Sequence, residues 1–253
     1  MLGRDRRATV GGVNGSVMRT SSASARTWRM RQWPNDPTVA HLIFVDHQTV
    51  PSPNDVESAV EHARAKGARA IRTSALFPDA AEVVLAAGFT PIDRLALLHV
   101  QLDQTTMRRL GEPRHRIRSM TPWSHHVAAT VDQRAFGPLW GNDAASLRDI
   151  RSATPTHRAR MVRVGRRLAG FALSGAAADS GYLQRVAVDH EHRRRGIAHD
   201  LVVDALAWMH ADHRTRALVN TGIDNQPALA LYGGLGFTRL SDVLTIAERR
   251  THE

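Results

Sequence analysis

The sequence predicts an α/β fold, and three observations carry that expectation. Short apolar runs of strand length alternate along the chain with segments whose apolar residues recur at helical spacing. Glycines close helical segments, as at Gly67 and Gly88. The order strand, helix, strand, helix, strand occurs twice: Gly88-Phe89 and Gly236-Phe237 lie 236 − 88 = 148 positions apart, and at that offset Ala80 meets Ala228, Val83 meets Leu231 and Ala59 meets Ala207. We read this as a tandem duplication with a shortened first copy.

In chain order, His41 to Val45 reads as a short buried strand, and Pro51, Pro53 and Asn54 mark a loop. Asp55 is placed to cap a helix over Asp55 to Lys66, with Val56, Val60 and Ala63 on one face. Ala68 to Arg72 follows as a strand, Asp79 to Ala87 as a helix and Leu95 to Val100 as a strand. The stretch 105–116 reads as a linker. The second run has helices from about Val127 to Phe136 and from Asp143 to Ile150, then strands at Ala159 to Val164, Leu168 to Leu173 and Tyr182 to Val188. A helix from Gly196 to about His210 carries the stripe Ile197, Leu201, Ala205 and Trp208. A strand at Ala217 to Thr221, a helix from Gln226 to Gly234 and a strand around Val243 to Ala247 complete it.

Composition narrows the chemistry. The 253 residues include no cysteine, which excludes thiol nucleophiles, disulfides and thiolate-bound metals. The net charge is +10, and Lys66 is the sole lysine. Met1 to Arg31 holds Arg4, Arg6, Arg7, Arg19, Arg26, Arg29 and Arg31 against Asp5, a net of 7 − 1 = +6. With its Gly, Ser and Thr and no hydrophobic period, 1–31 reads as a disordered basic tail. No stretch has the length and apolarity of a membrane span or secretory signal, so the expected compartment is the cytoplasm.

The segment richest in chemistry runs from Tyr182 to Ala198. A buried strand enters a short polar loop that ends Arg195-Gly196-Ile197-Ala198 as a helix begins. The first N–H groups of a helix lack intrahelical partners and carry the positive end of its dipole, so this junction is an anion cradle, and the small Gly196 and Ala198 admit a pyrophosphate. Further on, Asn225 is a natural N-cap, Pro227 suits a first turn, and Tyr232 lies two turns in.

Together these two motifs, Arg-x-x-Gly-x-Ala and Asn-x-x-Ala-x-x-Leu-Tyr-x-x-x-Gly-Phe, resemble those of the GCN5-related N-acetyltransferases (GNAT), over about Ile117 to Glu253. The resemblance implies a mixed central sheet flanked by helices, with acetyl-CoA held as co-substrate between two splayed parallel strands, Tyr182 to Val188 and Ala217 to Thr221. It implies that amides near Val186 and Ala187 hold the thioester carbonyl, that Val188 pairs with the pantetheine arm, and that the amides from Arg194 through Gly196 and Ile197 to Ala198 take the pyrophosphate. Arg193, Arg194 and Arg195 would meet the phosphates, Asn225 would complete the cofactor set, and Tyr232 would protonate the departing thiolate. The expected reaction is direct acetyl transfer to a primary amine in a ternary complex.

The strands offer no general base, since the positions that carry a carboxylate in several relatives hold Gln184, Arg185 and Asn220. Arg185, Arg160 and Arg163 suggest an anionic acceptor. The first copy, 32–104, lacks the loop motif: at the same offset Val84 stands for Tyr232 and Phe77 for Asn225, so it reads as a degenerate half-domain packed against a catalytic domain at 117–253. The tandem layout resembles that of the double-domain mycothiol synthases of actinobacteria, in architecture only.

Other classes fare worse. His190-Glu191-His192 lacks the His-Glu-x-x-His spacing of a zinc helix, so no metal is expected, and no Gly-x-Ser-x-Gly is present. The rival readings are a non-catalytic acyl-CoA-binding protein and a nucleic-acid binder, the latter disfavoured by few aromatic platforms among the arginines. A monomer is expected ahead of a homodimer, since a second copy in cis replaces a partner subunit.

Overall fold

A computed structural model describes residues 27–45 and 49–252. Among them, the first half supplies strands β1 (Trp28–Trp33), β2 (Asp36–Phe44), β3 (Ala70–Thr73) and β4 (Thr90–Gln101), with helices α1 (Pro53–Ala65), α2 (Pro78–Ala86) and α3 (Gln104–Leu110). The second supplies β5 (Ile117–Ser119), α4 (Ser124–Trp140), α5 (Ala144–Arg151), β6 (Thr156–Val164), β7 (Arg167–Ala177), β8 (Ser180–Val188), α6 (Ile197–Ala211), β9 (Arg216–Gly222), α7 (Gln226–Gly234) and β10 (Thr238–Arg250). No helix among the described residues is long and apolar enough to cross a membrane.

All ten strands form one mixed sheet in the order β1-β2-β3-β10-β4-β9-β8-β7-β6-β5. The last strand of each half is exchanged: β10 lies between β3 and β4, and β4 lies between β10 and β9. The linker at 105–116 is therefore a place in the chain and not a boundary between bodies. The exchange is nearly two-fold symmetric. Thr90 pairs with Glu248 while Thr238 pairs with His99, and these partners are related by 238 − 90 = 148 and 248 − 99 = 149. Both strands leave a helix through a left-handed glycine, Gly88 at φ 83° and Gly236 at φ 88°, the geometry that ends a helix without Cβ strain. The buried rings of Phe89 and Phe237 follow.

Several sequence expectations are corrected. The basic tail does not reach Arg31, because β1 begins at Trp28, whose indole is buried against α1; residues 1–26 lie outside the described residues. Asp55 does not cap α1. Ser52 does, and Asp55 closes the reciprocal bond of a capping box. The linker contains α3, capped by the Asp103 carboxylate accepting from the Thr106 N–H at 2.7 Å, and Leu110 buries against α6. The strands run longer than their apolar cores, most of all β4 and β10, since pairing on both edges carries polar residues along.

The two halves are also joined by a buried ion pair. Arg72 on β3 faces its register partner Glu248 on β10; its Nε donates to Glu248 Oε2 at 2.9 Å and its Nη2 reaches the same oxygen. The guanidinium lies 4.4 Å from the Trp33 ring centroid, and its Nη1 is buried without a hydrogen-bond partner among the described residues. Beside it, burial and then the charges of Arg31 and Arg72 push the His41 imidazole down to about 4. Removing one member of such a pair strands the other charge. Glu248→Gln is expected to cost about 3 kcal/mol in denaturant unfolding; a loss below about 0.5 kcal/mol, the range of ordinary surface changes, would show that the pair contributes nothing across the joint.

Candidate functional site

The site grows from a defect in the sheet. β8 and β9 run parallel but pair only from Ser180, Gly181 and Tyr182 to Arg216, Ala217 and Leu218; beyond Tyr182 they part. At the split β8 carries a bulge, since Leu173 pairs with Arg185 but Ser174 with Leu183, leaving Gln184 as the extra residue. At the closed end a Cβ on Gly181 would meet Met209 Sδ at 2.4 Å, so a larger residue there would have to displace the buried Met209 side chain of α6. The edge of β8 facing β9 is left without a strand partner from Leu183 through Val186, Ala187 and Val188. Such an edge is a template for an extended ligand.

Past Val188 the chain makes a tight loop. Asp189 holds it, accepting from the Glu191 N–H at 3.1 Å and pairing with Arg134 at 3.2 Å; burial opposes its ionisation, but these bonds hold its carboxyl below the usual range. Arg194 at φ 61° and Gly196 at φ 79° both adopt left-handed backbone, turning the loop into α6. The first-turn amides of Ile197, Ala198 and His199 have no hydrogen-bond partner among the described residues, and no side chain caps them. Arg194 and Arg195 are exposed, whereas the Arg193 guanidinium donates to the Ala135 carbonyl at 2.9 Å and ties the loop to α4. Asp200, buried one turn in, accepts from the amides of Arg114 and His115 at 2.8 Å each. Burial would raise its carboxyl, but the His115 bonds outweigh that and lower it.

On the far side of the split, Asn225 caps α7 by accepting from the Ala228 N–H at 3.3 Å and donates to Thr221 Oγ1 at 3.1 Å. Tyr232 lies two turns in, 6% exposed and 5.4 Å from the Phe237 ring, and its hydroxyl makes no hydrogen bond among the described residues. Burial pushes its phenol up to about 12. Tyr232 opens on a cleft of about 320 Å³ lined by Gln184, Arg185 and Val186 of β8, Asn220 and Thr221 of β9, Asn225, Phe136 and Trp140 of α4, and Asp93 and Leu95 of β4. The first half thus provides one wall.

Arg185 is not a free cation. It forks onto the fully buried Asp132 with two 2.7 Å bonds, donates to the Trp140 carbonyl at 2.7 Å, and lies 3.5 Å from the Phe136 centroid. Arg160 is paired with Asp204, and Arg163 donates to the Arg166 carbonyl. The anionic-acceptor expectation loses its main support in Arg185. Asp189, Glu191 and His192 bring ligand-type atoms within 4.8 Å of one another, but Arg134 and Arg167 already neutralise the two carboxylates. In the first half the corresponding parallel strands β2 and β3 stay paired along all of β3, from Val39 with Ala70 to Leu42 with Thr73, and Arg72, Trp33 and His41 pack together there, with Trp140 of α4 lying 5.8 Å from Trp33. Asp132, Trp140 and Asp93 carry no local sequence signal; only folding brings them to the cleft.

With this geometry in place, comparison with known proteins is specific. Residues 127–237 match the acetyltransferase (GNAT) family. That segment is a GNAT domain. Over 60 residues the chain is 38% identical to N-alpha-acetyltransferase 30 of Saccharomyces cerevisiae, covering 24% of this chain and 34% of the relative; the chain thus spans about a third of the length of the curated relative it matches. In fold, the GNAT domain and its preceding half resemble a tandem GNAT protein from the clavulanic acid biosynthesis pathway, with TM-score 0.62, 16% identity and 85% and 76% of the two chains covered. A GCN5-related N-acetyltransferase from Sphaerobacter thermophilus superposes with TM-score 0.62 at 14% identity over 89% and 76%. One from Kribbella flavida gives 0.55 at 19% over 82% and 80%.

The buried phenol supports a titration test. Burial favours the neutral form, so the stabilisation tied to Tyr232 is complete below pH 10 and is lost as pH rises towards 12. With only Tyr182 and Tyr232 in the chain, absorbance titration of the native protein is expected to show a tyrosinate phase near pH 12 that Tyr232→Phe removes. A phase assigned to Tyr232 at pH 10 would show that water reaches the phenol.

Proposed function

We propose that the protein is an N-acetyltransferase that moves the acetyl group of acetyl-CoA to a primary amine by direct attack in a ternary complex. The observation that carries this reading is the unpaired edge of β8, which lines one cleft with the buried Tyr232 and runs on in the chain to the open amides at the start of α6. The residues fit a CoA thioester. The amides of Arg194 to Ala198, with Arg194 and Arg195, match a pyrophosphate in charge and donor count, and the β8 edge from Val186 to Val188 matches the amides of a pantetheine arm. Arg193 serves by holding the loop, and Asn225 by fixing α7 and hence Tyr232.

In the reaction a neutral amine nitrogen attacks the thioester carbon, a C–N bond forms and the C–S bond breaks. N–H donors on the bulged β8 edge near Val186 stabilise the oxyanion. Tyr232, still protonated well above neutral pH, gives its proton to the departing sulfur, and the proton released by nitrogen passes to water and restores the phenol. The products are an amide and a free thiol. The chain works as a monomer in this reading, because the strand exchange that builds the cleft is intramolecular.

Two variants test this. Tyr232→Phe is expected to lower kcat by about 100-fold, with acetyl-CoA affinity by calorimetry unchanged; retention of full turnover would remove the phenol from the mechanism. Gly196→Asp places a β-carbon at a left-handed position and a carboxylate at the cradle, and is expected to abolish acetyl-CoA binding. Wild-type protein that binds no acetyl-CoA at millimolar concentration would overturn the proposal.

A further inference from the structure

The charges lining the cleft are Arg185 and Asp93. Arg185 is matched in full by Asp132, which leaves Asp93 as the one lining charge without a counter-ion among the described residues. Its Oδ1 accepts the N–H of its own neighbour Arg94 at 2.7 Å, and the half-buried carboxylate forms no ion pair there. Its placement is specific. Asp93 pairs with Ile246 of β10, whereas Pro91 pairs with Ala247, so Ile92 is an extra residue, and such a bulge re-aims the side chain beside it. The next cleft residue on β4, Leu95, sits opposite Gly222 at the end of β9, just beyond Asn220 and Thr221. The strand that carries Asp93 comes from the half with no transfer motif.

We infer that Asp93 is the specificity residue of the acceptor site and that the acceptors are amines carrying a second positive charge, which the Asp93 carboxylate holds. This rests on the transferase reading for the word acceptor. A carboxylate on the reacting nitrogen would keep it protonated and non-nucleophilic, so the charge that Asp93 takes belongs to another group of the same molecule. An acceptor bearing a carboxylate there meets repulsion instead. The duplication thereby acquires a purpose: the first copy, having lost its own motif, supplies selectivity to the second.

The test uses full-length protein with cadaverine and 6-aminohexanoate, which have similar reach and opposite second charges. The wild type is expected to favour cadaverine in kcat/KM, and Asp93→Asn to reduce that preference by about tenfold or more, through KM, with kcat for cadaverine and acetyl-CoA affinity little changed. Asp93→Glu retains most of the preference. An unchanged ratio in Asp93→Asn, or a wild type that favours 6-aminohexanoate, overturns the inference. Calorimetry with cadaverine separates the two readings. Asp93-dependent binding without acetyl transfer to either amine would keep the site and refute the transferase, whereas a wild type that neither acetylates nor binds cadaverine at millimolar concentration refutes the inference itself.

Discussion

The antiparallel pair β4–β10 is the constraint on which the rest of the molecule depends. Without it each half is an open sheet: the first ends at β3 and the second at β9, each with an exposed edge of backbone donors and acceptors. The exchange covers both edges and sets β4 beside β9 along seven register pairs, Leu95 to Gln101 against Gly222 to Arg216. That pairing holds one arm of the split in place. With β9 fixed by β4 on one side and β8 fixed by β7 on the other, the only freedom left is for β8 and β9 to part, and the Gln184 bulge marks where they do.

Two largely buried arginines then fix the elements around the cleft. Arg72 with Glu248 and Trp33 packs beside the first half's parallel pair, β2 and β3, which stays joined along all of β3. Arg185 with Asp132 pins the end of α4, where Gly137 breaks the helix at φ 76°, so that Trp140 offers its carbonyl to Arg185 and its ring to Trp33 of the other half. Buried ion pairs of this kind are rarely more stabilising than apolar packing of the same shape, but they tolerate few geometries. What they supply here is placement: the α4 end, β8 and the β1–β2 turn are locked to one another, and Asn35 strengthens the lock by donating to the carbonyls of Pro138 at 3.0 Å and Gly141 at 2.5 Å.

How much of this was legible in the sequence follows from how local each feature is. The helix Gln226–Gly234 was readable to the residue because Asn225, Pro227 and the closing glycines are all local signals. The entry to α6 at Gly196 was readable for the same reason: the glycine and the helix start it precedes lie within a few residues. The ends of β4 and β10 were not, since their polar outer residues are held by partners some 150 positions away, and neither was α3, whose anchors, Leu110 and Met107 on the core around α6 and Arg109 on the Leu235 carbonyl, are all distant in the chain. The offset of 148 announced a duplication but not an exchange; two copies side by side and two copies sharing strands have the same local pattern. Arg185 shows the limit most sharply, because its apparent free charge is cancelled by Asp132, 53 positions earlier on a different element.

The central claim is that the cleft is composite, completed by a strand from the half without the motif. Severing the chain in the exposed turn at Gly111-Glu112 tests it most directly, with acetyl-CoA binding by calorimetry as the readout on fragments 1–111 and 112–253, alone and co-expressed. The account predicts that neither fragment binds alone and that the co-expressed pair associates one to one and recovers binding. Full-affinity binding by 112–253 alone would contradict it.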